Sequence, residues 1–131
     1  MINANEYFNE KYPLIFPQSR DVSLCARFGG IECGAGWFNL LDRLCGRVQG
    51  HVDEKKTQQV VFEQVKEKFG KLRINYSGGD SYVEGLMDMA ESISATICER
   101  CSAPAKLAPL RMGWFKTLCD ECKAKVQNST D

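Results

Sequence analysis

The sequence predicts an α+β protein with a mainly helical N-terminal part, a short strand, and a four-cysteine module at its C-terminal end. Three observations carry that reading. Apolar residues recur at steps of three and four through most of the chain, with one stretch, Lys71 to Tyr76, that alternates strictly. Cys98-Glu-Arg-Cys101 is followed, after seventeen residues (102–118), by Cys119-Asp-Glu-Cys122. Two such pairs supply four soft ligands from two tight turns, the donor set of a structural zinc ion. At 131 residues the chain can bury roughly two thirds of its unfolded surface, so it can hold a core without disulfides. The division expected is 1–97 as a small helical or α+β domain and 98–131 as a zinc module packed on it.

Taken in order, Asn3 and Glu6 have capping-box spacing and start a short helix ending before Pro13, with Tyr7, Phe8 and Leu14 turned inward. Residues 16–21 form a connection, and Val22 to Phe28 reads as an extended segment leading to Gly30. In Cys33-Gly-Ala-Gly-Trp37 the glycines suggest a phosphate loop, but Asn39 stands where a dinucleotide fingerprint needs its third glycine, and no Gly-Lys-Ser/Thr follows. They are read instead as a close turn before a helix whose face carries Trp37, Leu40, Leu41, Leu44, Cys45 and Val48 and which ends near Gly50.

A third helix is expected over 53–69, with Val61, Phe62, Val65 and Phe69 as its stripe and Gly70 as its stop. Lys71 to Tyr76 is a strand with Leu72, Ile74 and Tyr76 on its dry face. Ser81 and Glu84 cap a fourth helix, whose predicted inward residues are Tyr82, Leu86, Met89, Ala90, Ile93 and Ile97. Met87 and Met89 read as core filler, and Glu84, Asp88 and Glu91 as a solvated line. Beyond Cys101, two short strands joined at Gly113 precede a helix whose first turn carries Cys119 and Cys122, with Asp120 and Glu121 at the positive end of its dipole.

This knuckle, hairpin and helix resembles a treble-clef zinc finger, and the GATA-type finger in particular, which shares the ligand spacing and a tryptophan in the hairpin, here Trp114. The resemblance covers about 25 residues and implies DNA binding by the helix and a basic tail. Here that tail holds Lys123 and Lys125 and then turns polar. A wider resemblance rests on Cys33-Gly-Ala-Gly-Trp37, Gln64 to Gly70, Leu72-Arg73, Gly78-Gly79, Ala90-Glu-Ser92 and the terminal cysteine pairs. It is to a family of small uncharacterised proteins encoded in bacteriophage and prophage genomes. It implies a phage accessory role in a bacterial cytoplasm and brings no activity with it; Ser102 stands where it would place a glycine.

Charge narrows the function. Seventeen Lys and Arg balance seventeen Asp and Glu, and residues 98–131 carry six basic against four acidic groups, which four thiolates on one zinc would cancel. That is a thin footprint for phosphate binding. A protein partner is therefore the first reading, and the phage resemblance implies that it is a bacterial host factor. Nucleic acid is the alternative, with Trp37, Arg111, Trp114, Lys116, Lys123 and Lys125 as the candidate binding surface. An enzyme would need a site around Cys33 and the single histidine, His51; no basic neighbour in sequence activates that thiol. Cys25, Cys33 and Cys45 with His51 lack paired spacing for a second metal and read as buried or surface residues. The opening residues lack a basic and then apolar leader, no run nears the ~20 apolar residues of a membrane helix, and cysteines held by metal suit a reducing compartment, so a cytoplasmic location is expected.

Overall fold

The computed structural model describes residues 3–17, 30–110 and 113–129. The predicted extended segment over 22–28, and with it Cys25, lies outside them, as does Arg111. The described residues form an α+β fold of four α-helices and five strands. They are α1 (Ala4–Lys11), β1 (Ile31–Glu32), α2 (Phe38–Lys55), β2 (Val61–Lys68), β3 (Lys71–Ser77), α3 (Ser81–Ser94), β4 (Lys106–Pro109), β5 (Phe115–Leu118) and α4 (Asp120–Ser129). No helix among them is long and apolar enough to cross a membrane.

Helix α1 begins as its capping box predicts: the Glu6 N–H donates to Asn3 Oδ1 at 2.9 Å, and Asn3 Nδ2 reaches the Glu6 carboxylate at 3.2 Å. Only Phe8 of its predicted inward residues is buried. Tyr7 and Leu14 are exposed because the buried places are taken by Phe8, Ile15 and Phe16. Tyr7 instead helps clasp α1 to α2, its hydroxyl donating to Asp42 at 2.6 Å beside Tyr12 at 2.5 Å and Lys11 at 3.1 Å. Burial opposes ionisation of Asp42, yet the hydrogen bonds from Tyr12, Tyr7 and Lys11 hold its carboxyl below the usual carboxylate range.

The predicted face of α2 is buried at Leu41, Leu44, Cys45 and Val48, and the helix runs past Gly50 to Lys55. The extra turn exists because Val52, one turn beyond Val48, still meets the core. The helix predicted over 53–69 is replaced beyond residue 60 by a strand. β2 pairs antiparallel with β3 and parallel with β1, in the order β1-β2-β3. The physical reason for the misreading is a bulge. The register passes from Phe62↔Tyr76 to Gln64↔Asn75, leaving Glu63 unpaired. That extra residue stretches the spacing of buried positions from two to three, so Phe62 and Val65 imitate a helical stripe. Gly70, read as a helix stop, turns the hairpin with Phe69, both at positive φ (84° and 55°), the pattern of a two-residue type I′ turn.

Strand β3 keeps its predicted alternation, with Leu72 buried and Arg73, Asn75 and Ser77 exposed. α3 starts one residue earlier in its capping than expected, on Asp80, whose carboxylate accepts from the Val83 N–H at 3.2 Å. Of its predicted inward residues Ala90 is buried and Leu86 packs against the core, but Val83 and Ser94 take the buried places beside them, and Tyr82, Met89 and Ile93 are exposed. Met89 is therefore not core filler; Met87 packs at the margin of the core. The helix ends at Ser94, and Ile97 forms a bridge with Pro104 rather than a last helical turn. The core gathers Phe8, Phe16, Trp37, Leu41, Val48, Phe62, Val65, Leu72 and Val83. A second, smaller cluster surrounds Cys98, Leu118 and Cys122.

Candidate metal centre

The described residues between 98 and 129 follow the predicted order of knuckle, hairpin and helix. β4 and β5 pair antiparallel from Lys106↔Leu118 to Pro109↔Phe115, and α4 begins one residue after Cys119. This brings Cys98, Cys101, Cys119 and Cys122 together, with all four Sγ atoms within 4.8 Å of one another and Cys101 Sγ 3.6 Å from Cys119 Sγ. A tetrahedron with metal–sulfur bonds of about 2.3 Å has edges of about 3.8 Å, so the cluster fits one ion. Among the described residues it is the one group of three or more such ligands.

Electrostatics within the cluster favours a cation. Burial opposes ionisation of Cys98, but backbone N–H groups of Cys119, Cys101 and Arg100 aim at its sulfur and bring its thiol down to about 6. At Cys122 burial, then the neighbouring thiols of Cys119, Cys101 and Cys98, push the thiol up to about 12. The two thiols are pushed in opposite directions within one cluster. A metal that displaces the remaining protons resolves this conflict, because its charge compensates all four thiolates. Cys98 and Cys122 are buried, Cys119 is half-buried and Cys101 faces solvent.

The knuckle is docked on the turn that the sequence marked with glycines. The Gly36 N–H donates to the Glu99 carbonyl at 2.7 Å, the Gly34 N–H to Glu99 Oε2 at 2.9 Å, and Trp37 Nε1 to the Ile97 carbonyl at 2.8 Å. A Cβ on Gly36 would lie 2.1 Å from the Cys98 carbonyl oxygen, and one on Gly34 would lie 2.4 Å from that of Glu99, so only glycine permits the approach. Ser102 adopts a positive φ of 74°, the conformation a glycine there would take easily, and its hydroxyl donates to the Gly36 carbonyl at 2.7 Å. Glu99 was not singled out from the sequence, and Ser102 only as standing in place of an expected glycine; their position inside and beside the first cysteine pair was the available signal.

The hairpin is tied on its other side. The Thr117 hydroxyl donates to the Gly70 carbonyl at 2.7 Å, and the Glu99 N–H donates to the Thr117 carbonyl at 3.0 Å. Lys116 lies 2.7 Å from Glu67 and 3.9 Å from Glu99.

The candidate binding surface divides accordingly. Trp37 is fully buried and cannot face a partner: its ring fills the core and its one donor is spent on Ile97. Trp114 is exposed, Lys116 is ion-paired, Lys125 is 3.4 Å from Glu121, and Lys123 lines a cleft with Lys106. Burial and then Glu99 push the Cys33 thiol up to about 12, so it stays protonated at neutral pH and is a poor nucleophile there. Burial likewise raises the Cys45 thiol. His51 stacks on Tyr82 with ring centres 4.2 Å apart and places Nε2 2.9 Å from Asp80, clasping α2 to the start of α3.

Comparison with known proteins returns no matching family model, no matching curated protein and no matching solved structure.

Proposed function

We propose that the chain is a non-catalytic, zinc-stapled protein-interaction module, and that it acts as a bacteriophage accessory protein on a protein of the bacterial host cytoplasm. The phage and host parts of this reading rest on the sequence resemblance. Zinc suits the four-thiol donor set, held in a treble-clef arrangement, and four protein ligands leave no coordination position for an activated water.

The observation that carries the interaction reading is the second apolar face of α3. Tyr82, Met89 and Ile93 lie within about 40° of one another around the helix at 100° per residue, and Met89 is 59% exposed. Gly85 and Ser92 border this stripe and keep its flank low. A partner helix laid against it would bury the three side chains at i, i+7 and i+11. Zinc-loaded chain used as bait in host lysate is expected to retain a host protein that Met89→Glu and Ile93→Lys baits, with unchanged Tm and zinc content, no longer hold. A partner indifferent to both substitutions would overturn the assignment.

Nucleic-acid binding through the zinc finger is the second reading. Its support is the cleft of about 390 Å³ between β4 and the start of α4, lined by Lys106 and Lys123 with one acidic residue, Asp120. The ion pairs of Lys116 and Lys125 leave less free charge for it. Salt-dependent gel shifts with duplex DNA, lost in Lys123→Gln, would establish it, and their absence would remove it.

A further inference from the structure

We infer that the paired hairpin tips, Lys68 to Lys71 and Gly113 to Lys116, form a stacking site for single-stranded nucleic acid. This site is distinct from the α3 face and from the Lys106–Lys123 cleft, and it depends on neither.

The first observation is exposure of aromatic rings. Phe69 and Trp114 are each 69% exposed and Phe115 is 47% exposed. All three line one open cleft of about 450 Å³, together with Glu67, Gly113 and Lys116. Among the described residues, no aliphatic side chain lines it. Flat rings presented to solvent suit the faces of bases, every one of which offers a π surface.

The second observation is the place of Phe69. It occupies the first central position of the β2–β3 turn at φ 55°, a left-handed conformation that asparagine, aspartate or glycine adopts more readily than a bulky side chain. Its ring gains little from burial there. Neither turn propensity nor core packing accounts for a phenylalanine at this position, whereas a stacking surface does.

The third observation is charge. Lys116 and the Gly70 N–H both contact the Glu67 carboxylate, each at 2.7 Å, so the one acidic group lining the cleft is spent within the protein. Lys68 and Lys71 flank the turn, and neither is ion-paired among the described residues. The Lys68 ammonium lies over the Phe69 ring, 5.7 Å from its centre, so it covers one face of the ring and a stacking base takes the other. Rings for bases with ammonium groups beside them give the two halves of sequence-tolerant single-strand binding. The overall neutral charge confines such a site to a few nucleotides.

The test uses the zinc-loaded full chain with a fifteen-residue oligo-dT, a fifteen-residue oligo-rU and a DNA duplex of the same length. Trp114 supplies the signal, because Trp37 is buried. Saturable quenching by a single strand, stronger than by the duplex, is expected at about 50 mM salt. Phe69→Asn removes the ring while suiting the left-handed turn, so it should hold or raise Tm yet weaken binding at least about fivefold, the lower end for loss of one stacked base. Lys68→Gln with Lys71→Gln should reduce the slope of log K against log salt by about 1.4, at 0.7 per phosphate on a single strand. No saturable quenching by either single strand, equal binding of the duplex, or binding unchanged in Phe69→Asn would each overturn the inference. So would a protein contact or self-association that Phe69→Asn abolishes while no oligonucleotide binds; that outcome would assign the rings to a protein.

Discussion

The two hairpins of this protein have the same plan and are held by opposite means. β2–β3 buries Phe62, Val65 and Leu72 in the main core. β4–β5 buries only Thr117 and Leu118, and its companions in the smaller cluster are cysteines. The first hairpin stands on side-chain volume. The second has too little apolar surface to do so and stands on the convergence of four thiols and on the hydrogen bonds of Thr117 with Gly70 and Glu99. The lesson is that a small β-unit can be attached to a neighbour through hydrogen bonds and a cluster of thiols able to hold a metal where a core is lacking.

Removing the metal is the strongest way to break the comparison. With zinc bound as proposed, chelation or Cys101→Ser is expected to cost the C-terminal lobe on the order of 10 kcal/mol of apparent stability. Hydrogen exchange should then show amides of β4, β5 and α4 losing protection while β2 and β3 keep theirs. Equal protection of both hairpins in the metal-free chain would contradict a metal-held hairpin.

The converse substitution strikes the other hairpin. Phe62 is fully buried, and its ring centre lies 5.2 Å from that of Phe16. Phe62→Ala should destabilise the chain by about 3–5 kcal/mol, read as a lowered denaturation midpoint. Its zinc stoichiometry should remain that of the parent, because none of the four ligands is supplied by β2. A loss of metal alongside the loss of core would mean that the two hairpins fold as one indivisible unit.

Between these extremes lies the joint itself. Gly36→Ala forces a methyl group toward the Cys98 carbonyl oxygen, and the knuckle must shift to admit it, at about 1–3 kcal/mol as for other overpacked sites. The cost should appear in the metal-loaded protein and shrink in the chelated one, where the knuckle no longer presses on the turn. An equal cost in both would place the strain within the turn preceding α2 instead of at the joint.

What the sequence made legible follows the same division. The ligand cysteines, the hairpin around Gly113 and the first turn of α4 were readable because their signals are local, fixed by spacing within a few residues. The capping of α1 was readable for the same reason. β2 was not, because the bulge at Glu63 gives a strand the spacing of a helix, and its pairing with β3 and β1 is a tertiary fact. The buried face of α3 was misread in part because that helix is apolar on two faces, and periodicity alone does not choose which of them meets the core. Cys33 to Trp37 announced a close approach through its glycines, but that the approaching backbone belongs to Cys98 and Glu99, more than sixty residues later, is not contained in any local pattern.

The finest test concerns Ser102, where two effects of similar size oppose each other. Its backbone is left-handed, a conformation that costs a non-glycine residue roughly 1 kcal/mol. Its hydroxyl donates to the Gly36 carbonyl, and such a bond contributes about 0.5–1.5 kcal/mol net. Ser102→Gly relieves the first and forfeits the second, so it should stay within about 0.5 kcal/mol of the parent. Ser102→Ala keeps the strained backbone and loses the bond, so it should be the less stable of the two by about 1 kcal/mol. Denaturant midpoints of the three proteins, with zinc held in excess, measure the difference. If alanine and glycine were equally stable, the positive φ would carry no cost at the knuckle and serine would be there for its hydroxyl alone. If glycine clearly exceeded serine, the hydroxyl would contribute nothing to holding the knuckle on Gly36, and that contact would rest on the backbone bond from Gly36 to Glu99.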